Sequence, residues 1–243
     1  MKKLVTLLLA ATLAFACVGC GSKDTDKKSE GVMTYEEYVA AAMDSEVVIE
    51  AYVQAKQSWW DNTATVYLQD KDGAYFVYGM ACSEEDYAKL ENGTKIKVTG
   101  YKTEWSGEIE IIDATFEIMD GKYVAEAKDV TDMLGSDELI NYQNQFVSFK
   151  DMTVVAAGQD AAGNDVAYLY KWDGSGQEGD DLYFNVESNG VTYTFTVESY
   201  LCDSSTDVYA AVKGLQIGDT VDMEGFLYWY EGPNPHITAV TVK

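Results

Sequence analysis

Along most of this chain apolar residues alternate with polar ones, and the alternation falls into two sets of strands. Val47, Ile49, Ala51 and Val53 share one parity, which puts them on one side of an extended segment. Val66 and Leu68 repeat the pattern between Thr65 and Gln69. Asp70-Lys-Asp-Gly73 then reads as a hairpin turn, with a returning strand from Ala74 to Met80. Ile96 and Val98 mark a fourth strand, and Ile109 and Ile111 place a fifth at Glu108 to Phe116. The second set starts at Phe146 to Val155. Leu182, Phe184 and Val186, then Val191, Tyr193, Phe195 and Val197, alternate with polar neighbours across the turn Ser188-Asn189-Gly190, and strands at Thr220 to Phe226 and His236 to Val242 follow.

Four segments break the period of two. Thr34-Tyr-Glu-Glu37 has the spacing of a capping box and predicts a helix to about Met43. Ser83 to Leu90 reads as a capped helix, Thr131 to Asn141 as a helical lead-in, and Thr206 to Leu215 as a further helix. Each set therefore runs strand, strand, strand, helix, strand, strand. A repeat in the sequence aligns the two. Gly93-Thr-Lys-Ile-Lys-Val-Thr-Gly100 registers on Gly218-Asp-Thr-Val-Asp-Met-Glu-Gly225. An aromatic (Tyr101, Phe226), a tryptophan (Trp105, Trp229) and a glycine (Gly107, Gly232) follow each copy, and the offset from Gly93 to Gly218 and from Gly107 to Gly232 is the same 125 residues.

That order and glycine placement resemble the OB-fold, and tandem OB-like bacterial surface lipoproteins in particular, across nearly all of residues 44–243. The resemblance implies a mainly β protein of two tandem five-stranded Greek-key barrels, each with a helix between its third and fourth strands, plus short lead-in helices. The domains would span residues 34–127 and 128–243. It also implies binding on the face of strands two and three, walled by the loops joining strands one to two and four to five. Those loops hold Trp59, Trp60 and Trp105 in the first copy and Trp172 and Trp229 in the second, which accounts for all five tryptophans. Tyr67, and Tyr183 in the second copy, belong to the outer face of strand two. The candidate ligand-binding set is thus Trp59, Trp60, Tyr67, Trp105, Trp172, Tyr183 and Trp229. Planar rings on a groove suit stacking on sugars, bases or an apolar peptide. The same rings would equally serve to plug the barrel ends or to weld the two domains.

The N-terminus begins Met-Lys-Lys, continues through an apolar run from Leu4 to Ala16 and reaches Val18-Gly19-Cys20. The run is shorter than the ~20 residues a membrane crossing needs. It reads as a lipoprotein signal peptide over residues 1–19, with lipidation at Cys20 and a flexible tether over residues 20–33, so the chain is expected on the extracytoplasmic face of a cell membrane. An ordinary export signal with an incidental cysteine is the alternative.

Lysine supplies all 17 basic residues against 41 acidic ones, for a formal net charge of −24. Such a surface repels phosphate backbones and lacks arginine, which grips them bidentately, so nucleic acid is a poor partner on charge. His236 is the one histidine, which leaves no basis for several catalytic or metal-binding imidazoles. The chain reads as a non-catalytic binding protein without cofactor or metal, its ligand a carbohydrate or another envelope component. Single-stranded nucleic acid and a protein–protein scaffold are the rival readings. The acidic, glycine-rich stretches Asp160 to Asp165 and Asp173 to Asp181 lack calcium-loop spacing. Cys82 and Cys202 are either small buried hydrophobes or an inter-domain disulfide.

Overall fold

The computed structural model describes residues 28–243, so the expected signal peptide and Cys20 lie outside the described residues. The first half comprises α1 (Tyr35–Ala40), β1 (Glu46–Lys56), β2 (Thr63–Gln69), β3 (Ala74–Ala81), α2 (Glu84–Lys89), β4 (Thr94–Trp105) and β5 (Glu108–Lys122). Its strands close in the order β1-β2-β3-β5-β4. β1 is long enough to serve two neighbours, pairing β4 along Glu46–Tyr52 and β2 from Tyr52 to Lys56 across a register shift at Val53/Ala55. A parallel contact of β3 with β5 seals the cylinder.

The second half has β6 (Lys128–Asp129), β7 (Phe146–Val155), β8 (Gly158–Gln159), β9 (Asp165–Val166), β10 (Tyr168–Tyr170), β11 (Leu182–Ser188), β12 (Val191–Val197), α3 (Asp207–Gly214), β13 (Thr220–Phe226) and β14 (His236–Val242). β7 is shared between β13 and β11, and β12 meets β14 in parallel, as β3 meets β5. Both halves are OB-like barrels. Each has its own core. Val47, Ile49, Leu68, Ile96 and Ile111 fill the first, and Phe149, Phe184, Phe195, Tyr209 and Ile237 the second.

The repeated glycines acquire a physical reason. A Cβ on Gly100 would lie 2.7 Å from Ile111 Cγ2 and 2.8 Å from the Ile112 carbonyl; on Gly225 it would lie 2.2 Å from the His236 carbonyl. Both sit where the fourth strand slips register against its neighbour and bends around the barrel. Gly107 and Gly232 have positive φ in the loop that follows.

Several elements depart from the pattern. α1 stops at Ala40 because the Lys102 ammonium takes the carbonyls of Tyr38, Val39 and Ala41 at 2.9–3.0 Å, and Asp44 turns left-handed. The lead-in is two 3₁₀ turns, Thr131–Met133 and Asp137–Tyr142, split by Gly135 at φ +80. β5 runs six residues past Phe116, following β4 along its length. Val191 is exposed, because it sits at the tip of the β11–β12 hairpin. In the long loop of the second barrel, Asp160, Asp173 and Asp181 accept hydrogen bonds from neighbouring amides or hydroxyls, and no metal-holding cluster occurs among the described residues. Cys82 and Cys202 are free thiols, each in its own barrel's core. The end of the expected tether is held rather than loose. The Lys28 ammonium pairs with the Asp70 carboxylate and reaches the Glu50 carbonyl at 2.8 Å, and the Met33 amide donates to the Val48 carbonyl.

Candidate functional site

The outer face of β2 and β3, where an OB-like barrel would receive its ligand, is covered in the first barrel by the second. Tyr67, Phe76 and Phe226 form a buried cluster between the barrels, joined by Phe146, Leu201 and Tyr228. The Tyr67 ring stacks on Phe226 at 4.4 Å between centroids, and its hydroxyl lies 2.9 Å from His236 Nδ1. Tyr228 stacks on a face of that imidazole, also at 4.4 Å between centroids. Polar bonds pin the rim. Gln69 Oε1 accepts from the Phe146 amide, the Ser58 amide donates to the Tyr200 carbonyl, and the Glu231 amide donates to the Ser106 carbonyl. Tyr67 is therefore on the outer face as expected, but it is completely buried and unavailable to a ligand.

Titratable groups are trapped at the same seam. Glu108 is fully buried; its Oε2 accepts from the Trp229 amide at 2.9 Å and from Gln143 Nε2 at 3.2 Å, while its Oε1 and the Oδ1 of nearby Asn144 have no partner. Desolvation, with a smaller push from Glu110, raises the Glu108 carboxyl to about 8. Burial raises Glu110 to about 7, and burial with Asp181 nearby raises Glu198 to about 7. Desolvation depresses His236 to about 3, so the imidazole against Tyr67 is neutral. None of these groups was singled out from sequence for a seam role. The available signal was the run of outward aromatics Tyr67, Phe76 and Phe226 on strands whose other side is already apolar.

The tryptophans divide. Trp60, Trp105 and Trp172 are 77, 53 and 76% exposed, whereas Trp59 and Trp229 are half-buried. Trp59 donates through Nε1 to the Cys82 carbonyl at 3.0 Å. Trp229 lies against Gly107, where a Cβ would come within 2.8 Å of the indole. The structure does not assemble Trp59, Trp60 and Trp105 around one open cleft, because the second barrel occupies the space between their loops. What it does assemble is Trp105 with Tyr230, one ring from each barrel, at 5.2 Å. Tyr230 in turn lies near enough to Tyr183 to act on it electrostatically. On the second barrel the equivalent face is only partly covered: Thr196, opposite Tyr183, is buried, Tyr183 and Asn185 are half-buried, and Thr192 and Thr194 exposed.

Register places more rings beside Trp105. Across β3, β5 and β4 the outward residues run Phe76–Glu110–Thr103; farther along, Ile112 pairs with Tyr101, and Tyr78 follows Phe76 on β3. Tyr78 and Tyr101 are exposed. Tyr228, which meets Phe76 edge-on at 5.4 Å, feels both Tyr78 and Glu110 electrostatically. Tyr78, Tyr101 and Trp105 thus lie on the same outer side of the first barrel's sheet as Glu110, with Tyr228 and Tyr230 reaching them from the second barrel.

No family model matches this chain, and no curated protein does. Among solved structures, the p204 HINb domain aligns with a TM-score of 0.37 at 9% identity, covering 84% of this chain and 100% of that one. The Ifi202 HINa domain in complex with 20bp dsDNA aligns at 0.35 and 10%, covering 82% and 98%. A Replication Protein A heterotrimer bound to ssDNA aligns at 0.33 and 12%, covering 80% and 49%. Similarity at this level does not bear on function.

Proposed function

We propose that the chain is a lipid-anchored, extracytoplasmic, non-catalytic binding protein, and that its ligand, a carbohydrate or another envelope component, lies along the seam, in a groove walled by these rings with Glu110 at its floor. The observation that carries this reading is the Trp105–Tyr230 pair, two water-exposed rings contributed by different barrels and held by a buried seam beneath them. Rigid, exposed aromatic faces beside a groove gain from stacking on a sugar ring without a large ordering cost. The test is titration of intrinsic tryptophan fluorescence with neutral oligosaccharides. Saturable quenching is expected, with affinity falling about tenfold in Trp105→Ala, the order of one lost ring contact. No response to any sugar removes carbohydrate as the ligand class.

Single-stranded nucleic acid is the second reading, favoured by the same rings, since bases stack on aromatic platforms as sugars do. Against it stand the net charge of −24 and the absence of arginine. Oligonucleotide binding at physiological salt would decide for it.

A further inference from the structure

Glu110 is 6% exposed and lies among rings, yet no described residue hydrogen-bonds to its carboxyl or forms an ion pair with it. Other buried or half-buried acids of the first barrel are provided for. Glu50 has Lys95 at 2.9 Å, Asp70 has Lys28, and even Glu108 holds two donors. A carboxylate so little exposed and without a partner is costly, because it has given up most of its water and gained no bond in return. Its neighbours cannot supply a cation. On β4 the outward residues beside it are Tyr101, Thr103 and Trp105; on β3 they are Phe76 and Tyr78; on its own strand they are Glu108 and Ile112. From the second barrel come Tyr228 and, farther off, Glu198, with His236 held neutral. The floor of the groove is therefore negative or protonated, and its walls are the faces and edges of electron-rich rings.

Such a site has one complement. A carboxylate draws a cation, and tyrosine and tryptophan faces hold the same cation through their quadrupoles, more strongly where water is excluded. A strongly hydrated metal ion would need several oxygen ligands, and only one carboxylate opens here. We propose that the seam groove recognises an organic ammonium group, seated over Glu110 and enclosed by Tyr78, Trp105, Tyr228 and Tyr230. The proposal rests on reading the groove as the binding site, and it narrows the ligand to one carrying a fixed or protonated amine.

Choline serves as the probe, because its charge does not titrate, and 3,3-dimethylbutan-1-ol is its neutral isostere. Binding of each to the whole protein is followed by tryptophan fluorescence and calorimetry, alongside the neutral oligosaccharides above. Choline is expected to bind at least about tenfold more tightly than the alcohol. Because Glu110 must be ionised to hold it, and burial sets that carboxyl at about 7, choline affinity should rise about tenfold between pH 6 and pH 8, with protons released on binding. Glu110→Gln, which keeps the side chain's shape, should abolish both the preference and the pH dependence while leaving the unfolding transition in place. Trp105→Leu should weaken choline binding and keep the pH dependence. Equal binding of choline and the alcohol, a preference that survives Glu110→Gln, or failure of both probes to bind overturns the ammonium site. Neutral sugars that bind without any such preference would leave the glycan reading standing, and choline binding without sugar binding would do the reverse.

Discussion

At the scale of single residues, the seam turns on the bond between Tyr67 and His236. Both side chains are out of water, the imidazole is neutral, and among the described residues the tyrosine hydroxyl is the one group within hydrogen-bonding distance of Nδ1. Tyr67→Phe keeps the ring that stacks on Phe226 and deletes only the oxygen, leaving a buried ring nitrogen unpaired, so a loss of about 1–3 kcal/mol is expected in chemical denaturation. Gly225 tests the other kind of constraint. A methyl group there would overlap the backbone of His236 and Ile237 in the adjacent strand. Backbone cannot swing aside as a side chain can, so Gly225→Ala should cost about 3 kcal/mol or more, and Gly100→Ala, at the equivalent place in the first barrel, somewhat less, because its nearest obstruction is the Ile111 side chain. The glycines were legible in the sequence as a repeat, since each barrel needs a close approach at the same bend. The burial of Tyr67 was not. An outward tyrosine between Val66 and Leu68 looks like any solvent-facing strand residue until a distant segment is known to lie on it.

At the scale of elements, strands were legible to within a few residues wherever a single face is buried, as for Leu182, Phe184 and Val186, because parity then records the side that meets the core. The lead-in before β7 was not. Its apolar residues satisfy a helical spacing, but Gly135 divides it into two 3₁₀ turns, and a period read over so few residues does not distinguish them. Nor does sequence show that α1 is terminated from outside. It is a six-residue helix with a complete capping box, in which Thr34 Oγ1 accepts from the Glu37 amide at 3.2 Å and Glu37 Oε2 from the Thr34 amide at 2.8 Å. So short a helix does not persist alone. Its far end depends on the Lys102 ammonium, which is buried and serves three carbonyls at once. Lys102→Met preserves the aliphatic stem and removes every donor. A loss of about 2–4 kcal/mol is expected, well above the ~1 kcal/mol of Thr34→Ala, with early hydrogen exchange confined to residues 34–41. Equal effects from the two substitutions would show that the lysine is not what ends the helix.

At the scale of the whole molecule, the seam makes stability depend on pH in a defined sense. In an unfolded chain Glu108, Glu110 and Glu198 would titrate near the ordinary 4.5, but with the barrels docked they do so at about 8, 7 and 7. Between those limits the folded protein holds protons that the unfolded chain has released, so each carboxyl's contribution is complete below about pH 4.5 and is lost as pH climbs through 7 to 8. His236 acts oppositely. Its folded value of about 3 lies below the ordinary 6.5, so the unfolded chain takes up the proton first, and this contribution is present above 6.5 and lost on acidification towards 3. The interval from pH 6.5 to 8 is therefore governed by the carboxyls alone. There the denaturation midpoint should fall as pH rises, with a slope of up to about 1.4 kcal/mol per pH unit for each acid titrating. Glu108→Gln should flatten the upper part of that curve. The neutral amide can also donate towards Asn144 Oδ1, which has no partner in the wild-type seam, so the variant should be more stable than the parent at pH 8. Because the acids sit between the barrels and not inside either, the same titration should show first in the coupling of the two halves. At pH 6 a single unfolding transition is expected by both calorimetry and tryptophan fluorescence. At pH 9, or in Tyr67→Ala with Phe226→Ala at pH 6, it should split into two. A single transition that persists in the double variant would mean that the barrels are coupled by something other than their aromatic seam.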